Sequence, residues 1–207
     1  MPKKLPKTDI VIIGLGAAGG VAALPLTDAG FKVTGIEAGG WLSPRDFAPD
    51  ELRNGARNWP QSVQKAATEA PTVRATSNDI AEQGGHPMMN AVGGTTMHYW
   101  AQSWRLNPWD FKVVSATRQR YGSHRIPMDS TVEDWPFGYE ELEPYYDKVE
   151  YAVGISGQAG NVQGSINPGG NIFEGERMRE YPMRPLRSSP FTDLMGEAAY
   201  RLDWNPF

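Results

Sequence analysis

The stretch DIVIIGLGAAGGVAAL, residues 9–24, constrains the fold more than any other part of the chain. Residues 10–13 are apolar and β-branched and stop abruptly at Gly14, the pattern of a short buried strand. The following AAGGVAALPLTDAG reads as a helix that begins near Ala17 and ends before Gly30, a residue suited to leave a helix in the left-handed conformation. Pro25 interrupts that helix, where it either kinks the axis or leaves one carbonyl unpaired. FKVTGIE then reads as a second strand ending at Glu37. Gly14, Gly16 and Gly19 therefore fall on a strand-to-helix turn, the context in which G-x-G-x-x-G carries chemical meaning. The first glycine permits the tight turn, the second lets backbone approach a pyrophosphate, and the third lets helix and strand pack closely. Ala17 and Ala18 fill the first helical turn, whose free N–H groups and dipole favour an anion. Glu37, with Ala38 behind it, stands where a carboxylate accepts hydrogen bonds from ribose hydroxyls and repels a 2′-phosphate, which disfavours NADP.

The same stretch admits a membrane or export reading. Ile10 to Thr27 is an uncharged run of 18 residues preceded by Lys3, Lys4 and Lys7. Asp9 directly before the run, five helix-weakening residues within it (Gly14, Gly16, Gly19, Gly20 and Pro25) and its division into strand and helix all oppose that reading.

Composition narrows the remaining classes. Seven Trp, eight Tyr, seven Phe and 40% hydrophobic residues argue for a packed core. A net charge of −4 with no basic block argues against nucleic acid as a partner. The absence of Cys removes disulfides, Fe–S ligation and thiolate chemistry, and three His (His86, His98 and His124) make a multi-His metal site improbable. The expected fold class is α/β, a Rossmann-like domain with long loop-rich insertions.

Gly and Ala around the first turn suit NAD or FAD equally, so downstream segments must discriminate. After Glu37 comes the Gly-rich AGGWLSPRDF, then a long, weakly periodic stretch over 45–90 with short helices expected in APDELRNGAR and SVQKAAT. This is not the compact nicotinamide pattern. At 90–105 stands NAVGGTTMHYWAQSWR, in which Gly93, Gly94, Thr95 and Thr96 can open a short helix that presents N–H and hydroxyl groups to an anion. Together GLGAAGG, IEAGG and VGGTTMHYWAQSWR resemble the glucose–methanol–choline (GMC) flavoprotein oxidoreductases. DWPFGYEELEPYYDKVEYAVGISGQAGN, residues 134–161, is similar to the group containing the flavoprotein subunits of bacterial membrane-bound gluconate 2-dehydrogenase, fructose dehydrogenase and sorbitol dehydrogenase. The resemblance runs through nearly the whole chain.

The resemblance implies FAD bound in an extended form. Gly14, Gly16, Ala17, Ala18 and Gly19 would lie at the pyrophosphate, Glu37 and Ala38 at the adenosine ribose, and Gly93, Gly94 and Thr95 near the ribityl chain or the isoalloxazine. It implies hydride removal from a CH–OH carbon of a sugar, polyol or sugar acid to flavin N5, while a base takes the hydroxyl proton. His98, four residues after Gly94, has three readings: a covalent bond to the flavin 8-methyl group, packing or hydrogen-bonding beside a flavin held without one, and, disfavoured by the motif around it, a core His unrelated to flavin. His86 and His124 carry no such motif, and His124 reads as a surface residue.

The resemblance also implies a division of the chain into a dinucleotide core over 8–40, a flavin-contacting segment over 90–105 and the start of a substrate-domain region from about 130 to 207. The catalytic base in this family is a His close to the C-terminus, which is expected beyond residue 207, so the catalytic residues stay unassigned. The chain is expected to be an N-terminal part of such an enzyme, with an exposed apolar face, weak FAD binding and no turnover by itself. Implied partners are a small subunit and a membrane-bound cytochrome c subunit, which would place the protein at the periplasmic face of the inner membrane; a cytoplasmic location is the alternative. Two other functions remain open from the residues alone: a nicotinamide-dependent Rossmann enzyme, and a non-catalytic FAD-binding remnant.

Three further segments carry structural expectations. GYEELEPYYDKVEYAVG, residues 138–154, has helical spacing, with Leu142, Tyr146, Val149 and Val153 as its packed face. Residues 154–172 read as a long solvated loop, and the Arg-rich run over 177–187 as solvent-facing charge. SPFTDLMGEAAYRLDW reads as a helix capped by Ser188 or Ser189 with Pro190 at its first position.

Overall fold

A computed structural model of the chain describes residues 6–47, 89–97, 99 and 101–207. The helices expected in APDELRNGAR and SVQKAAT, together with His86 and His98, lie outside the described residues. The chain mixes helix and strand and forms two compact units, Met1–Gln102 and Ser103–Phe207. The division falls inside the 90–105 segment.

The first unit opens with strand β1 (Ile10–Ile13), helix α1 (Ala17–Asp28) and strand β2 (Val33–Ile36). β1 and β2 pair in parallel, Ile10 opposite Val33 through Ile13 opposite Ile36. Asp9 helps to fix this register, because its carboxylate accepts the Lys32 N–H at 2.8 Å and its own N–H donates to the Lys32 carbonyl at 3.0 Å. α1 leaves through Ala29 and Gly30, where Gly30 (φ +86°) lets its N–H reach the Thr27 carbonyl at 2.9 Å. Pro25 is accommodated inside α1 and withdraws one donor from its ladder.

The expectation of a buried strand is not met at β1. Exposure alternates along it, with Val11 51% and Ile13 85% exposed. The reason is the size of the sheet. A parallel sheet is normally covered on both faces, whereas this one has two strands among the described residues. Ile12 faces α1, as its Cγ2 would lie 3.3 Å from a Cβ added at Gly19. Val11 and Ile13 point the opposite way.

The second unit contains helices α2 (Val113–Tyr121), α3 (Tyr139–Val153) and α4 (Pro190–Tyr200), with a minimal hairpin of β3 (Asn161–Val162) and β4 (Ser165–Ile166). Phe111 is buried and lies 6.0 Å, centroid to centroid, from Phe137, which in turn is 5.4 Å from Trp135. α2 has no side-chain cap on its own N-cap residue. Instead Asp134 accepts the Val114 N–H at 2.8 Å and the Ser115 N–H and hydroxyl. These bonds, led by the Ser115 hydroxyl, hold the Asp134 carboxyl below its usual range. α4 starts as its sequence indicates: the Ser189 hydroxyl accepts the Thr192 N–H at 3.2 Å, with Pro190 in the first turn.

α3 forms where expected and ends at Gly154 in the left-handed conformation (φ +82°), but it buries a different face. The buried residues are Tyr139, Glu143, Asp147 and Glu150; of the expected face, Leu142 and Tyr146 are half-buried, with Tyr146 stacked on Tyr139, while Val149 and Val153 are exposed. Arginines explain the inversion. Arg105 grips Glu150 with two bonds of 2.8 Å and reaches Glu143 at 2.9 Å and the Tyr139 hydroxyl at 3.0 Å. Arg177 bonds Glu150 at 2.5 Å and Glu174 at 3.2 Å. Buried carboxylates persist only where opposite charge and hydrogen bonds replace water. Burial by itself would lower the Arg105 pKa, yet the bonds to Glu150, Tyr139 and Glu143 carry it well above the ordinary arginine value.

Two loop expectations change for the same reason. Arg177 is fully buried rather than solvent-facing and lies 3.8 Å from the Tyr181 ring centroid. Arg184 and Arg187 do face solvent. The 154–172 segment is a folded strap rather than a solvated connector. Ala159 is fully buried, and the Gly160 N–H donates to Glu174 at 2.6 Å.

Candidate cofactor site

The glycine turn is built as its sequence requires. Gly14 takes φ +88°, a conformation that costs other residues strain. A Cβ at Gly19 would fall 2.1 Å from the Gly14 carbonyl oxygen, so only glycine lets α1 approach β1 this closely. Gly16 caps α1 without a side chain, and a Cβ placed on it would meet nothing within 4 Å. The first N–H groups of the helix, on Ala17, Ala18 and Gly19, have no acceptor within the helix. They follow Gly16, where an added Cβ meets no described atom within 4 Å, an arrangement suited to a phosphate or other anion.

The tertiary structure brings the second glycine motif onto the first. Gly93 bridges Gly16 in parallel, and its N–H donates to the Leu15 carbonyl at 2.7 Å. Gly94 takes φ +56°, and a Cβ there would stand 3.1 Å from the Gly16 Cα. Residues Gly94–Met97 then form a short 3-10 helix that includes Thr95, with the Thr96 hydroxyl donating to the Gly93 carbonyl. The same segment runs beside the end of β2. Ala91 bridges Gly40, the Val92 N–H donates to the Gly40 carbonyl at 3.0 Å, and a Cβ at Gly39 would overlap the Asn90 carbonyl at 1.7 Å. Gly39 and Gly94 thus serve one purpose: each lets one stretch of backbone lie directly against another with no side chain between them.

Glu37 stands at the centre of this meeting. Its Oε2 accepts the Leu15 N–H at 2.7 Å, and its Oε1 accepts the N–H groups of Ala38 at 2.9 Å and Gly39 at 3.2 Å. The Leu15 bond, which outweighs the opposing effect of partial burial, holds the Glu37 carboxyl below its usual range. A carboxylate has about four acceptor positions, so Glu37 retains capacity for a hydroxyl donor. Sequence reasoning located Glu37 but not its bond to Leu15, because no motif specifies which backbone N–H a carboxylate will find.

Of the anticipated residues, Gly14, Gly16, Ala17, Ala18, Gly19, Glu37, Ala38, Gly93, Gly94 and Thr95 all belong to this one locality; His98 lies outside the described residues. His124 is exposed in the second unit. Among the described residues no group of His, Asp and Glu has the arrangement of a metal site, and no helix is long and apolar enough to cross a membrane.

No protein-family model matches the chain. Curated proteins do. The chain is 28% identical to the gluconate 2-dehydrogenase flavoprotein of Pantoea cypripedii over 99% of its own length and 35% of that protein. It is 36% identical to a 2-methyl-1,2-propanediol dehydrogenase of Mycolicibacterium austroafricanum, over 78% of this chain and 27% of that one. It is 32% identical to the fructose dehydrogenase large subunit of Gluconobacter japonicus, over 92% of this chain and 33% of that one. The chain therefore spans about a third of the length of the curated relatives it matches.

Proposed function

From the premise that this chain is a homologue of flavoprotein dehydrogenases and of related enzymes of sugars and polyols, we propose that it carries the FAD-binding elements of a GMC-type oxidoreductase acting on CH–OH groups of sugars, polyols or sugar acids. The observation that supports this most directly is the convergence of the two glycine motifs at Gly16 and Gly93, with Glu37 tied to the turn between them. The fold reading that goes with it is a Rossmann-like FAD domain, of which β1, α1 and β2 form the opening strand–helix–strand element.

The residues present fit the cofactor. The side-chain-free Gly16 and the uncapped helix N-terminus suit a pyrophosphate. The remaining acceptor positions of Glu37 suit an adenosine ribose, and Gly93, Gly94 and Thr95 border the same cradle. Bound FAD would supply the hydride acceptor. The chain's own residues orient it: the Ala17, Ala18 and Gly19 N–H groups hold negative charge, and the Gly16–Gly93 backbone contact keeps both walls of the cradle in place.

Titrating the chain into FAD and following flavin fluorescence at equilibrium tests the reading. Saturable quenching is expected, and NAD binding without flavin would replace it with a nicotinamide enzyme. Acid denaturation of the flavin-loaded protein separates the first two readings of His98. A covalent flavin stays with the precipitate, and a non-covalent one is released. No dye reduction by gluconate, fructose or simple polyols is expected of this chain by itself, and clear turnover would overturn that expectation. The partners proposed by analogy with the relatives, a small subunit and a membrane cytochrome c subunit, are testable by co-purification from the native cell.

A further inference from the structure

We propose that Glu37 is a positioning residue that clasps the glycine turn shut before any cofactor arrives, acting through the Leu15 N–H rather than only through a ligand's ribose. This rests on the cofactor reading above.

The observation is that one carboxylate joins two separate pieces of chain. Oε2 takes the N–H of Leu15, between the first two glycines of the turn, while Oε1 takes the N–H groups of Ala38 and Gly39, just beyond β2. Residues 14–16 and 38–40 contain four glycines and no polar side chain. Neither stretch has a side-chain bond of its own to set its conformation. Gly14 (φ +88°) is entropically costly to order, because glycine loses more conformational freedom than any other residue. Ionic hydrogen bonds to the segment are a direct way to offset that cost.

The clasp also reaches the second glycine motif. Gly39 lies against the Asn90 backbone, Gly40 bridges Ala91, and the Leu15 carbonyl accepts the Gly93 N–H at 2.7 Å. The peptide groups on either side of Leu15 are thus both fixed, by Glu37 on the N–H side and by Gly93 on the carbonyl side. A cradle ordered in this way binds its ligand without having to order itself at the same time. Residues 14–19, 38–40 and 89–95 contain no ionisable side chain, and the carboxylate that joins the first two of these segments is that of Glu37.

The test begins without cofactor. In the wild-type chain, the Leu15 amide proton is expected to titrate together with the Glu37 carboxyl carbon in a two-dimensional NMR pH series. A Leu15 resonance that ignores the carboxyl would overturn the clasp, whether or not FAD binds. The second arm compares FAD with its 2′,3′-dideoxyadenosine analogue on the wild-type chain and on Glu37→Gln. The variant is expected to lose about tenfold in affinity for both ligands, as befits a lost ionic hydrogen bond. A loss confined to FAD would show that Glu37 works only through ribose hydroxyls and would sink the proposal. If neither ligand binds either protein, the cofactor reading fails while the NMR series still decides the clasp.

Discussion

Gly94 faces Gly16 so closely that a Cβ on Gly94 would lie 3.1 Å from the Gly16 Cα. Two glycines 78 positions apart in sequence thus form a single close contact. Gly94→Ala is therefore expected to push the second motif off the first and to strain a residue held at φ +56°. FAD affinity, measured by quenching of flavin fluorescence, should fall by about tenfold or more, since a clash with backbone and a strained φ each cost about 1 kcal/mol or above.

Two neighbouring glycines of α1 should respond in opposite directions. Gly20 has no atom within 4 Å of where its Cβ would stand, so Gly20→Ala should raise stability by about 1 kcal/mol through helix propensity alone. Gly19→Ala would place a methyl group 2.1 Å from the Gly14 carbonyl oxygen and should separate α1 from β1. Thermal unfolding followed by circular dichroism should show Tm rising for the first and falling for the second. A rise for both would contradict the packing described here.

Arg177 is the most consequential side chain of the second unit. Its removal would leave Glu150 and Glu174 buried with one cation fewer between them. Arg177→Met is expected to destabilise the unit by about 3–5 kcal/mol, as for other buried pairs broken on one side. Urea unfolding monitored through tryptophan fluorescence measures this. An unchanged midpoint would mean that Arg105 alone satisfies Glu150.

The Asp147–Arg179 pair makes a pH-dependent contribution. Two bonds of 2.8 Å from Arg179 hold the Asp147 carboxyl below its usual range. A carboxylate with a lowered folded-state pKa stabilises the protein above its unfolded value, about 3.9, and loses that contribution as pH falls through the lower folded value. Wild type should therefore melt above Asp147→Asn near neutrality, and the gap should close below about pH 3.9. A gap that stays constant into acid would assign the effect to something other than ionisation.

The sequence was most informative where local geometry dictates residue type. Strand, glycine turn, helix and second strand were legible over residues 9–37, because a left-handed φ at Gly14 and the contact at Gly19 each demand glycine. The start of α4 was legible at Ser189-Pro190 for a similar reason, since capping is a local matter. The face buried by α3 was not. Leu142, Tyr146, Val149 and Val153 have the apolar periodicity of a packed face, and nothing within the helix reveals that Arg105 and Arg177 will neutralise the acids on the other side. A faint signal existed in Glu143, Asp147 and Glu150, acids spaced along one helical face, followed by an Arg-rich run.

The candidate site divides along the same line. Gly14, Gly16, Gly19, Glu37, Gly93 and Gly94 could be named from the sequence, because each motif is short and its chemistry local. That Gly93 would bridge Gly16, that Gly40 would pair with Ala91 and that Glu37 would take the Leu15 N–H were decided by tertiary structure alone. Those contacts join stretches distant in sequence through backbone groups, and every residue carries the same backbone N–H and carbonyl. Residue identity therefore marks where the chain can come close, and only the folded chain determines which peptide groups meet there.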